Sequence, residues 1–219
     1  MQLGEDTITM SMTLNPVNEA AFQKAVQSLE TLNRAAVFHP TGTGKSCIAW
    51  KVVEAHPQTT FFWLVAGAQR LALRQAELAR YNGGTLPGNV RFCDCEKLAA
   101  ATPEQWVRLG EQKPGCIVLD CYHELSAVCW AQSVQKLLRM CPQAKVLGLG
   151  VPNGAPVCAA AQELFADCIV SHMTVAEAMA AGTMPVPSAY AALLWPQEEE
   201  LATLRARIKN LCMPKGDTS

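Results

Sequence analysis

The stretch His39-Pro-Thr-Gly-Thr-Gly-Lys-Ser46 constrains this chain more than any other. It lies between an apolar run, Ala35-Ala-Val-Phe38, and an apolar-periodic segment from Cys47 to Ala55. Strand, glycine loop and helix in that order are what a phosphate-binding loop requires. Gly42 and Gly44 let the backbone curl its N–H groups around an anion, because no Cβ crowds the curve. Thr41 and Thr43 belong to the same turn. Lys45 has the reach to meet β- and γ-phosphates, and the Ser46 hydroxyl suits magnesium. The helix that follows aims its positive end at the same place. A Gly-rich turn with a chance Gly-Lys-Ser is the bland alternative, and the flanking strand and helix argue against it.

The remaining segments alternate. Thr60-Phe-Phe-Trp-Leu-Val65 reads as a buried strand, and a helix is expected from about Gln69 to Tyr81. Val90 to Cys93 is a short strand, and Thr102-Pro-Glu-Gln105 is a capping box with proline at the first helical position. Cys116-Ile-Val-Leu-Asp120 is a strand that ends on a carboxylate. A helix from about Glu124 to Met140, a strand over Lys145–Leu149, a helix near Cys158 to Phe165 and a strand over Cys168–Ser171 come next. Thr174-Val-Ala-Glu177 opens one more short helix. Strands with apolar runs on both faces, alternating with helices, predict an α/β three-layer sandwich on a mainly parallel sheet. Ligands then belong at the carboxyl ends of the strands.

Ahead of the loop, Thr7 to Leu14 alternates with period two, which predicts a short strand or extended arm. Asn15-Pro16 reads as a break, with Asn18 capping a helix to about Leu32. At the other end, Leu201, Leu204, Ile208 and Leu211 form one stripe of a final helix. That helix either docks on its own domain or faces a partner, such as another copy or a separate motor domain. The expected division is a nucleotide-binding domain over 1–190, including an N-terminal arm and helix over 1–33, and an extension over 191–219.

Composition narrows the class. With 219 residues, 50% hydrophobic and 17% charged, the chain can bury a sizeable core. A net charge of −1 gives no global basic footprint for nucleic acid. No apolar run approaches the roughly 18 residues of a membrane span, and no secretory leader is seen, so a cytoplasmic protein is expected. The 10 cysteines include no Cys-x-x-Cys pair, and the Cys93-Asp-Cys95 spacing matches no common zinc site. They read as reduced thiols, several of them core residues.

Asp120 is the second landmark. An aspartate ending a buried strand, downstream of a phosphate loop, typically helps hold magnesium, although it is also a common helix cap. Taken together, Pro40-Thr-Gly-Thr-Gly-Lys-Ser46 and Val118-Leu-Asp-Cys-Tyr-His-Glu124 resemble motifs I and II of superfamily-two helicases of the DEAD/DEAH-box class. Lys145-Val-Leu-Gly-Leu-Gly-Val-Pro152 stands where that family carries motif III. The chain is most similar to the first RecA-like domain of large bacterial helicases akin to the motors of type I restriction enzymes, over roughly residues 15 to 190.

The resemblance implies a RecA-like P-loop NTPase fold, ATP and Mg2+ as ligands, and nucleic acid, DNA above all, as partner. It implies nucleotide contacts from Thr41 to Ser46, a metal-linked Asp120 beside Ser46, and a coupling role for His123. Departures stand beside the matches. Cys121 replaces the glutamate that activates water, a function worth roughly 10²–10⁴-fold. Gly150 and Pro152 replace both hydroxyl residues of motif III, Ala66-Gly67 lacks the usual hydroxyl-Pro signature, and His39 takes the place of the first glycine or small residue of motif I, a mild departure. No second RecA-like domain is expected in the stretch after residue 190. Two functions are therefore expected to compete: an ATP-binding helicase-like domain with weak or absent hydrolysis in isolation, and a non-catalytic relative that senses nucleotide or binds protein. A phosphate-loop kinase using Asp120 as base is a third, disfavoured by the lack of any lid or acceptor site.

Overall fold

The structure, a computed structural model, describes residues 12–120, 128–152 and 163–186, together with 202, 203 and 205. The chain divides into two units, Met1–Pro185 and Val186–Ser219. In the second unit, residues 202, 203 and 205 are helical, inside the span expected for the final helix. The apolar stripe of that helix lies outside the described residues.

The first unit is an α/β sandwich on a six-stranded sheet. Its strands are β1 (Arg34–Phe38), β2 (Phe61–Val65), β3 (Val90–Asp94), β4 (Cys116–Asp120), β5 (Lys145–Gly150) and β6 (Ile169–His172). They lie in the order β3-β2-β4-β5-β1-β6, and every pairing is parallel. The three-layer α/β sandwich expected from the alternating pattern is the fold observed, and its all-parallel sheet is consistent with the RecA-like fold that the resemblance implies. Parallel strands need crossover helices, and those helices cover both faces of the sheet.

Side-chain alternation along the strands splits the interior into two cores. Ala35 and Val37, Phe61, Trp63 and Val65, and Leu147 and Leu149 face one layer. That layer holds α1 (Pro16–Thr31), α2 (Lys45–Ala55) and α3 (Ala68–Tyr81). Ala36 and Phe38, Phe62 and Leu64, and Ile117 and Leu119 face the other. There the cover comes from α4 (Cys95–Ala99), α5 (Pro103–Glu111) and α6 (Val128–Met140). A last short helix, α7 (Val175–Ala180), follows β6. All five residues of β2 and of β4 are buried, which explains why both read as unbroken apolar runs. Each large side chain so buried contributes about 1.5–3 kcal/mol.

Several boundaries follow from capping chemistry. The two capping boxes form as expected, Thr102 with Gln105 and Thr174 with Glu177. The start of α1 differs from expectation. Asn15 is its N-cap, accepting from the Asn18 N–H at 2.8 Å, and Pro16 takes the first helical position. Asn-Pro therefore opens the helix instead of breaking the chain, since proline at the first position forfeits no helical hydrogen bond. Of the expected N-terminal strand, residues 12–14 carry no regular structure and the rest lies outside the described residues. The one-turn α4, capped by Asp94, was not expected; five residues are too few to show a period. Before β6 the described chain makes a 3-10 turn over Ala166–Cys168, and most of the helix expected near Cys158 lies outside the described residues.

The thiols behave as small hydrophobes. Burial pushes Cys95 and Cys116 up to about 12 and Cys93 up to about 11, so all three stay protonated. Among the described residues no group of three or more His, Cys, Asp and Glu side chains could hold a metal, and no helix is long and apolar enough to cross a membrane.

The two glycines of β5 are packing residues. A Cβ at Gly148 would lie 2.5 Å from Phe165 Cζ, and one at Gly150 would run into the Phe38 ring. Gly148→Ala should therefore lower stability by about 1–3 kcal/mol through overpacking. Urea denaturation of the variant measures this, and an unchanged midpoint would show that Phe165 can swing aside freely.

Candidate functional site

β1 delivers the chain to the loop at the carboxyl edge of the sheet, and α2 carries it away. Gly42 and Gly44 sit at φ values of 89° and 86°, in the left-handed region that disfavours any side chain. Gly44 is also the N-cap of α2 and brings no side chain to the cap. The head of this 11-residue helix thus faces the loop with main-chain donors only.

The loop is braced from within and from both flanks. The Pro40 carbonyl accepts from Lys45 Nζ and from Thr43 Oγ1, both at 2.8 Å. Asn18 on α1 donates from Nδ2 to the Thr43 carbonyl at 2.8 Å. On the far side, His39 Nε2 lies 2.7 Å from Ser171 Oγ on β6, and the His39 N–H donates to the Gly150 carbonyl on β5. His39, Thr43 and Lys45 are all buried. The sequence marked His39 as a mild departure in the loop; its place is a buried strut between β1 and β6.

Asp120 ends β4, separated from the loop strand by β5 alone. Its carboxylate is only 2% exposed. Oδ2 accepts from Arg74 Nε at 2.7 Å and from Trp63 Nε1 at 3.2 Å. Arg74 also donates from Nη1 to Glu77 Oε2 at 2.6 Å. Burial works against the guanidinium charge, but the carboxylates of Asp120 and Glu77 outweigh it and lift Arg74 above its ordinary value.

A cavity of about 450 Å³ opens between the loop and α3. Thr41, Gly42, Lys45 and Ser46 line one side, and Arg74 and Tyr81 line the other. Its size lies within the range of small-molecule sites. Cys47, also on its wall, has its thiol pushed up by burial, with a hydrogen bond from the Tyr81 side opposing that shift.

Of the residues singled out in the sequence, Thr41 to Ser46 are together at the loop and the head of α2, with Asp120 ending β4 two strands away. Cys121, His123 and Glu124 lie outside the described residues. Arg74 was missed and Asn18 was read as a helix cap, although each left a trace of its actual role. On α3, Leu71, Arg74 and Leu78 share one stripe, so Arg74 is a cation on the face turned to the sheet. Asn18 stands likewise in a stripe with Ala21 and Ala25. A charge or amide on a core-facing stripe demands a buried partner.

No protein-family model matches this chain, and none of the curated proteins matches it. The likeness to helicases rests on the sequence motifs alone.

His39 gives the site a pH signature. Burial, then Lys45 and His172, hold its imidazole down to about 4 from the ordinary 6.5. Folded, it stays neutral where the unfolded chain takes up a proton. The stability present above pH 6.5 is therefore lost as pH falls toward 4. His39→Asn should flatten that decline relative to the wild type, measured as denaturation midpoints at about pH 7 and about pH 5. Parallel profiles would mean that other groups set the acid limb.

Proposed function

We propose that this chain is an ATP-binding, helicase-like domain acting on nucleic acid, with hydrolysis weak or absent in isolation. The observation that carries this reading is the loop itself: two left-handed glycines, a buried lysine folded back over the turn, and an uncapped helix head. That arrangement fits a polyphosphate. Lys45 now satisfies a neutral carbonyl, and exchanging it for a charged phosphate oxygen forms a stronger, charge-assisted bond. Thr41 to Ser46 would hold the phosphates, with the nucleoside in the cavity between the loop and α3.

Magnesium fits less simply. When bound in such a site it neutralises the charge of the β- and γ-phosphates, with Ser46 and Asp120 as the residues expected beside it. Here Asp120 Oδ2 already accepts from Arg74, so its charge is matched by a cation of the chain's own. DNA as partner, and a second motor domain completing the site, come from the resemblance to helicases. The second reading, a nucleotide-sensing or protein-interaction module without turnover, gains from the Arg74–Asp120 pair and from Cys121 at the glutamate position.

Calorimetry with Mg-ATP on the wild type and Lys45→Ala tests the shared core of both readings. Binding in the wild type should fall about tenfold or more in the variant, since a charge-assisted contact to phosphate is lost. Equal, negligible binding in both proteins would overturn nucleotide binding altogether.

A further inference from the structure

Resting on the nucleotide-pocket reading, we propose that Arg74 takes the place of the divalent cation, so that the pocket binds a nucleoside triphosphate without magnesium. Arg74 is bonded to the buried carboxylate that ends β4, and it lines the same cavity as Lys45 and Ser46. The guanidinium therefore joins the strand-end aspartate to the space a polyphosphate would enter. Only two of its five N–H groups are used in the bonds to Asp120 and Glu77. The planar fork that remains matches phosphate oxygens in geometry and in charge.

The same contact disfavours a metal ion. A divalent cation taken up by Asp120 would meet a guanidinium nitrogen 2.7 Å from the same oxygen. Either the ion is repelled, or Arg74 must leave a carboxylate that is 2% exposed. Trp63 Nε1 donates to the same Oδ2 at 3.2 Å, which helps hold that oxygen in place against Arg74. Glu77 is 40% exposed and screened by solvent, so it orients the guanidinium without cancelling it. Tyr81 and Trp50 add aromatic surface to the same cavity, which suits a base rather than inorganic phosphate alone.

The test is calorimetric titration of the full chain with ATP, once with EDTA and once with excess magnesium chloride, on wild type, Arg74→Gln and Lys45→Ala. The expected result is wild-type affinity that changes by no more than about threefold between the two buffers. Arg74→Gln should lose about tenfold or more in EDTA and recover part of it with magnesium, which can then reach Asp120. Wild-type affinity rising about tenfold or more with magnesium would overturn the substitution while leaving nucleotide binding intact. No ATP binding by the wild type in either buffer would overturn the nucleotide reading itself, and this inference with it. The wild-type comparison decides even if Arg74→Gln fails to fold.

Discussion

A carboxylate at 2% exposure sets the terms for one whole face of this molecule. Every residue of β4 is buried, so the charge that ends the strand has no water to fall back on. Its charge is met by Arg74, with Trp63 supplying a second donor. Removing one partner from such a pair typically costs about 3–5 kcal/mol, because the other is left buried and unmatched. That penalty fixes the rotation of α3 about its axis, since Arg74 must face the sheet. With α3 so turned, Leu78 packs into the core and Tyr81 meets Cys47 across the cavity. The shape of the candidate site thus follows from the need to satisfy one aspartate.

The neighbouring strand shows a different constraint. At the motif III position, Gly150 lies under the Phe38 ring and its carbonyl accepts from the His39 N–H. A hydroxyl residue there would need the ring to move. Phe38 is paired directly to Gly150 across β1 and β5, so the ring takes the space a side chain at 150 would need.

How much was legible in the sequence depended on whether a signal was local. The strands were visible because two-sided burial writes itself as an apolar run, and the loop because its glycines need φ near 90°. The two capping boxes were visible for the same reason, each being closed within four residues. Arg74 was not, because its meaning depends on strand order: β2 must pair with β4 before α3 can reach Asp120. Asn-Pro at 15 and 16 failed for a subtler reason, since the same dipeptide can end an extended segment or open a helix. His39 looked like a substitution within a motif, and only its 2.7 Å approach to Ser171 makes it a strut.

These braces bear on what the loop can do. Asn18 holds the Thr43 carbonyl from α1, His39 ties the strand end to β5 and β6, and Lys45 and Thr43 close on Pro40. A loop fixed at so many points meets an anion with little reorganisation, which favours binding. Turnover asks for something else: a positioned water, and a charge that rises only in the transition state. On the proposed reading, Cys121 in the sequence where the glutamate would stand and Arg74 engaged by Asp120 in the ground state suit holding a nucleotide more than turning it over. Preorganisation without a base is the logic of a binding site that reports occupancy, and it is the physical ground on which the sensing role competes with the motor.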